Sequence, residues 1–100
     1  MSARDRQLRY LLGWLIAGTR GGASRAEIIN ALRDAPKNAN QLANQLNKDY
    51  RTIRHHLQVL QKNRIITSVG DRYGTTYFLS PQMEDNFTIF EEIVKKIGKR

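Results

Sequence analysis

The chain is 100 residues long, 40% hydrophobic, with a formal net charge of +8; this suits one small domain with a thin core. The charge and a pI near 10.3 point to a polyanionic partner, nucleic acid rather than membrane, because no long apolar face accompanies the positive charge. With no cysteine, disulfides, thiolate metal sites, cysteine nucleophiles and thiol switches are excluded, and a reducing cytoplasm is permitted.

Residues 4–19 predict a first helix. Leu8, Leu11, Leu12, Leu15 and Ile16 make one wide apolar face, and Tyr10 and Trp14, four apart, make a second patch. A helix apolar over so much of its circumference either crosses the core or packs on a second subunit. Arg4, Arg6 and Arg9 ahead of the run Tyr10–Ala17 give a faint likeness to a leader peptide. The run is too short to span a bilayer, and no cleaved leader is expected. Gly18, Gly21 and Gly22 end or bend this helix.

Ser24 and Glu27 have the spacing of a capping box. They predict a second helix that buries Ala26, Ile28, Ile29 and Leu32 and stops at Pro36. Asn38–Leu46 predicts a third, with Asn38 and Gln41 as its capping pair and Leu42, Ala43 and Leu46 facing inward. Asn47 and Lys48 leave only a short turn before Asp49, a good cap for a fourth helix. So short a connection sets two helices at a steep angle, as in a helix-turn-helix.

The fourth helix, Tyr50–Asn63, is the informative one. Ile53, Leu57 and Leu60 form its buried stripe. Arg51, Arg54, His55, Gln58 and Lys62 fall on the other side, with no carboxylate among them. Arginine can fork onto guanine and glutamine onto adenine, while lysine and histidine suit phosphate. A solvated helix face ordinarily mixes both signs of charge; the plain alternative is a soluble basic helix.

Ile65–Val69 and Thr75–Leu79 flank the turn Gly70–Gly74 and predict a β-hairpin with Arg72 at its tip. Ser80 and Pro81 open a last helix. There Met83, Phe87, Phe90, Val94 and Ile97 step by 4, 3, 4, 3, a seam of the coiled-coil kind. Either this seam docks on the chain's own core or, as the extra apolar Ile89 and Ile93 favour, it forms a subunit interface.

Asn38–Leu79, and the run TIRHHLQVL above all, resembles the ArsR-like branch of the winged helix-turn-helix regulators, in the thiol-free form found among archaea. The resemblance implies a mainly α fold with a small hairpin wing in one domain over residues 1–100. Residues 1–20 and 81–100 would be dimerisation helices around a core at 24–80. It also implies a homodimeric, sequence-specific regulator of transcription bound to double-stranded DNA. Helix 50–63 would lie in the major groove and wing 65–79 at the adjacent minor groove. By position, Tyr50, Arg51, Thr52, Arg54, His55, Gln58 and Lys62 would meet DNA, with Arg72 in the wing. Leu8, Leu11, Leu12 and Leu15 would join Met83, Phe87, Phe90, Val94 and Ile97 in the dimer. The family's thiophilic metal sites do not carry over to a chain without cysteine. Arg64 stands where the family usually has a glycine closing the recognition helix, so either Arg64 or Asn63 takes a positive φ.

No metal or cofactor is expected. His55 and His56 are adjacent on a helix and point about 100° apart, so they cannot share an ion. No nucleophile stands beside a base at catalytic spacing, and no phosphate-binding Gly-Lys-Ser/Thr occurs, so no enzyme is expected. Tyr73 and Tyr77 suit cross-strand packing better than base stacking. The competing function is a winged-helix protein-interaction module in a transcription or RNA-processing assembly.

Overall fold

The computed structural model describes residues 2–71 and 74–98, so Arg72 and Tyr73 lie outside the described residues. In chain order it has α1 (Ala3–Leu12), a π-helical turn (Gly13–Ala17), α2 (Gly22–Asp34), α3 (Ala39–Leu46) and α4 (Tyr50–Lys62). An antiparallel hairpin of β1 (Ile66–Asp71) and β2 (Gly74–Leu79) follows, then α5 (Pro81–Asp85) and α6 (Phe87–Gly98). The expected order of helices and hairpin is the observed one.

Local chemistry explains most boundaries. Asn38 and Gln41 form a full capping box at α3, each side chain bonded at 2.8 Å to the other's backbone N–H. Asp49 accepts from the N–H groups of Arg51 and Thr52, satisfying two free donors of α4. Two left-handed residues stop the paired helices: Asn47 (φ 53°) after α3 and Arg64 (φ 62°) after α4. At each stop the next N–H reaches back to the last turn, Lys48 to Ala43 and Ile65 to Leu60, which is the Schellman closure. Arg64, rather than Asn63, thus occupies the position that glycine would fill without strain.

Three boundaries differ from expectation. The first helix does not run evenly to 19: it widens at Gly13, and the Gly18 N–H bonds to the Gly13 carbonyl five residues back. Ser24 is not a cap. α2 starts at Gly22 with Gly21 before it, leaving Ser24 inside the first turn. The reason is steric. A Cβ on Gly22 would overlap the Ile16 carbonyl, so the chain turns as tightly as its glycines permit and the helix begins there. The last helix breaks at Asn86, whose side-chain amide bonds to the Gln82 carbonyl at 2.9 Å.

The core lies between these elements. Leu12, Leu15, Ile28, Ile29, Leu42, Ile53, Leu57, Leu60, Ile65, Met83 and Phe90 are each at most 1% exposed. The outer helices thus bury much of their apolar face within one chain, and the Met83–Phe87–Phe90 part of the seam faces this core. Arg33 lies over the Phe87 ring, 3.9 Å from its centre, and Arg9 pairs with Glu92 at 2.8 Å.

The Gly22 contact gives a direct check. Gly22→Ala is expected to lower unfolding free energy by about 3 kcal/mol through overpacking against backbone that cannot yield. Gly13→Ala, whose added methyl meets nothing within 4 Å beyond its own stretch of helix, is expected to raise it by about 0.5–1 kcal/mol. Urea melts of both variants measure the contrast.

Candidate nucleic-acid interface

α4 is bound to the body of the protein along one side and open along the other. Ile53, Leu57 and Leu60 fill the core. Arg51, Thr52, His55, Gln58 and Lys62 are exposed, and Tyr50 is 46% exposed although aromatic. The expected site residues on this helix therefore share one outward surface, with Arg54 at its edge. Arg54 is half-buried, and its Nη1 donates to the Tyr77 hydroxyl at 3.1 Å. Arg72 lies outside the described residues.

Gln61 was absent from the expected set. Its side-chain amide donates to the Ser68 hydroxyl at 2.8 Å, so it attaches α4 to β1. Two turns separate it from Arg54, which places both on the flank toward the hairpin. Periodicity alone could have put them on that flank, but not named the acceptors.

The opposite flank rests on a buried polar junction. Arg25, only 6% exposed, donates from Nε to the Leu15 carbonyl at 2.9 Å and from Nη2 to the Thr19 hydroxyl. Its Nη1 lies 3.5 Å from Nδ1 of His56, itself 7% exposed. Facing a cation, Nδ1 serves as acceptor when the ring is neutral with its proton on Nε2. Burial first, and then the charges of Arg25, His55 and Lys48, hold the His56 pKa below the ordinary histidine value of 6.5. Burial likewise lowers that of Arg25. Nothing in the spacing of the sequence announces that Arg25, on the core side of α2, meets His56.

Among the described residues no group of three or more histidine, cysteine or acidic side chains is placed to hold a metal. No helix among them is long and apolar enough to cross a membrane.

The expected dimer residues divide in two. Leu8, Leu12, Leu15, Met83, Phe87 and Phe90 are at most 6% exposed within a single chain, while Leu11, Val94 and Ile97 are only partly covered. Tyr10 and Trp14 are 84% and 56% exposed. A shallow cavity of about 210 Å³ is lined by Gly13, Ala17, Ile93, Lys96 and Ile97.

Two helices joined by a left-handed asparagine, the second presenting a cationic outer face beside a hairpin, define a winged helix-turn-helix. Residues 23–68 match the family model for the bacterial regulatory proteins of the arsR family; the chain thus carries an ArsR-type helix-turn-helix. The transcriptional regulator BldR from Sulfolobus solfataricus is similar in structure, with TM-score 0.70 and 12% identity over 97% of this chain and 82% of that one. So is a homodimeric winged helix-turn-helix DNA-binding domain from Mycobacterium bovis, a possible ArsR-family regulator, with TM-score 0.66 and 16% identity over 99% and 88%. A probable transcriptional regulator from Pseudomonas aeruginosa gives TM-score 0.63 and 20% identity over 93% and 76%. At these identities the likeness is one of fold. No curated protein sequence matches the chain. The family match supports a DNA-binding transcription regulator.

The lowered His56 pKa sets a sign for the pH dependence of stability. The unfolded chain takes up a proton as pH falls through about 6.5, while the folded chain resists it. The titration of His56 therefore leaves stability unchanged well above that pH, and stability falls progressively as pH drops from about 6.5 toward the lowered folded value. His56→Gln keeps an acceptor for Arg25 and removes the titration. The urea midpoint of the wild type is expected to fall between pH 7.5 and 5.5 by more than that of His56→Gln; equal falls would contradict the assignment.

Proposed function

We propose that this protein is a sequence-specific, double-stranded-DNA-binding transcription regulator that acts as a homodimer. α4 enters the major groove and the hairpin approaches the adjacent minor groove. The observation that carries the reading is the exposed surface of α4: Arg51, His55, Gln58 and Lys62 point outward with no carboxylate among them, while Ile53, Leu57 and Leu60 are buried beneath. Arg51, Arg54 and Gln58 would read base edges, Tyr50, Thr52, His55 and Lys62 would meet sugar or phosphate, and Arg72 would serve the wing. A protein-interaction module would need apolar anchors on this face. Apart from Tyr50 it offers none, so no observation favours that alternative.

The homodimer is supported by the apolar surface that a single chain leaves uncovered. Tyr10 and Trp14 project from α1 and the π turn, and Leu11, Val94 and Ile97 are half-buried nearby. In this reading residues 1–20 and 81–100 supply the interface around the 24–80 core. The side chains in contact are these outer ones, together with whatever edges Leu8, Leu12, Leu15, Met83, Phe87 and Phe90 still present.

Selection from a random duplex library tests the partner and the symmetry together. Enriched sites are expected to be twofold, with half-site centres about 10–11 base pairs apart or a multiple of that; enrichment of no sequence would sink the proposal. On the selected duplex, Arg51→Ala or Arg54→Ala is expected to cost about 1–3 kcal/mol and relax one base position. Lys62→Ala should weaken all sequences alike and reduce the salt slope by about 1.

Trp14→Glu, at a 56% exposed site, should leave the fold intact and yield monomers in sedimentation. A variant that still sediments as a dimer would move the interface elsewhere. Phe90→Asp is the poorer probe, because Phe90 is 1% exposed in one chain and its loss would unfold the core.

A further inference from the structure

One rung of the hairpin carries two hydrogen bonds from α4. Ser68 and Tyr77 are paired across β1 and β2, and side chains directly opposite in a sheet stand on the same face. Ser68 accepts from Gln61 at 2.8 Å and Tyr77 accepts from Arg54 at 3.1 Å. Gln61 and Arg54 are seven residues apart, so the rung grips two turns of the helix flank.

Tyr77 is itself firmly held. Its ring is 5% exposed. Its backbone forms a second bridge on the far side, with the Tyr77 N–H on the Lys37 carbonyl at 2.8 Å and the Lys37 N–H on the Tyr77 carbonyl at 3.2 Å. The Lys37 ammonium in turn bonds to the carbonyls of Ala31 and Ala35 at the end of α2, at 2.8 and 3.2 Å. The hydroxyl is therefore a fixed point, tied through Lys37 to α2, and the mobile partner in the bond is the long arginine side chain.

We propose that Tyr77 is a specificity-determining positioning residue: its hydroxyl holds the Arg54 guanidinium in one orientation at the edge of the DNA-facing surface without itself touching DNA. The inference rests on the DNA-binding reading given above and deepens it. A guanidinium has five donors in a rigid fork. One N–H on Tyr77 leaves the remaining edge aimed in a fixed direction, and an acceptor pair on a base is met without first ordering a flexible side chain. An untethered arginine would keep its charge and its attraction for phosphate but lose directional selectivity. Tyr77 should consequently govern discrimination and leave general affinity alone.

The test is Tyr77→Phe, which keeps the buried ring and removes only the hydroxyl. Wild type, Tyr77→Phe, Arg54→Ala and the double variant are each put through the same random-duplex selection. Binding to a non-selected duplex is measured at low salt and stability by thermal melting.

Arg54→Ala is expected to relax one base position per half-site. Tyr77→Phe should relax that same position by about three- to tenfold, the range spanned by one hydrogen bond. Its affinity for the non-selected duplex should be unchanged. In the Arg54→Ala background the tyrosine substitution should have no further effect on preference, because a residue acting through another loses its influence when that other is gone.

If wild type enriches no sequence, the proposed function falls and this inference with it. Three other results overturn the inference alone: Tyr77→Phe reproducing the wild-type preference at every position, relaxing all positions evenly, or still acting when Arg54 is absent.

Discussion

A guanidinium withdrawn from water must find acceptors for its donors, and around Arg25 three separate stretches of chain supply them. The Leu15 carbonyl belongs to the last turn of the widened first helix, where carbonyls lack helical donors ahead of them. Thr19 comes from the link that follows, and the His56 ring comes from α4. Removing one partner of such a buried charge costs more than the contact itself is worth, since the charge stays behind unsatisfied. The arrangement requires close approach: a Cβ on Gly21 would come within 2.7 Å of the His56 ring and 2.8 Å of the Arg25 guanidinium. The N-terminal helix, α2 and α4 are thereby joined at one point where little can be displaced.

α4 is consequently held by different chemistry on its two flanks. Toward α2 it has the junction with Arg25. Toward the hairpin it has the hydrogen bonds to Ser68 and Tyr77. Beneath, apolar side chains fix its depth. Burial alone would leave a cylinder free to rotate a little about its axis; polar contacts on both sides resist that rotation. In the proposed DNA-binding reading this rigidity matters, because each side chain then starts close to its working position.

Much of this was readable in the residues. The Asn38–Gln41 capping pair, the Asp49 cap and the short turn through Asn47 and Lys48 rest on local rules, and the structure has all three. The stripe Ile53–Leu57–Leu60 is one of period, and it too is present. What escaped was non-local. Nothing near Ser24 in sequence announces that Gly22 must pack on the Ile16 carbonyl, so the capping rule placed the start of α2 three residues late. The 4–3 seam of the last helix looked too apolar for one chain. Its first members are instead covered by the core, with a break at Asn86 that spacing could not reveal. Arg25 and Tyr77 owe their roles to residues 31 and 23 positions away, at distances no periodic pattern encodes.

The carboxylates have a distribution of their own. Glu84, Asp85, Glu91 and Glu92 ride on α5 and α6, and α6 packs against α1 and the π turn; none is carried by α4. On α6, Glu91 and Glu92 are matched by Lys95 and Lys96, whereas Arg51, Arg54 and Lys62 of α4 meet no carboxylate within their helix, so positive charge is concentrated there. A polyanion feels such a concentration of one sign before any atom touches, and its approach is favoured toward α4. The partition of charge thus acts on the kinetics of encounter: fewer collisions arrive in the wrong orientation, and the benefit fades as added salt shortens the reach of the field.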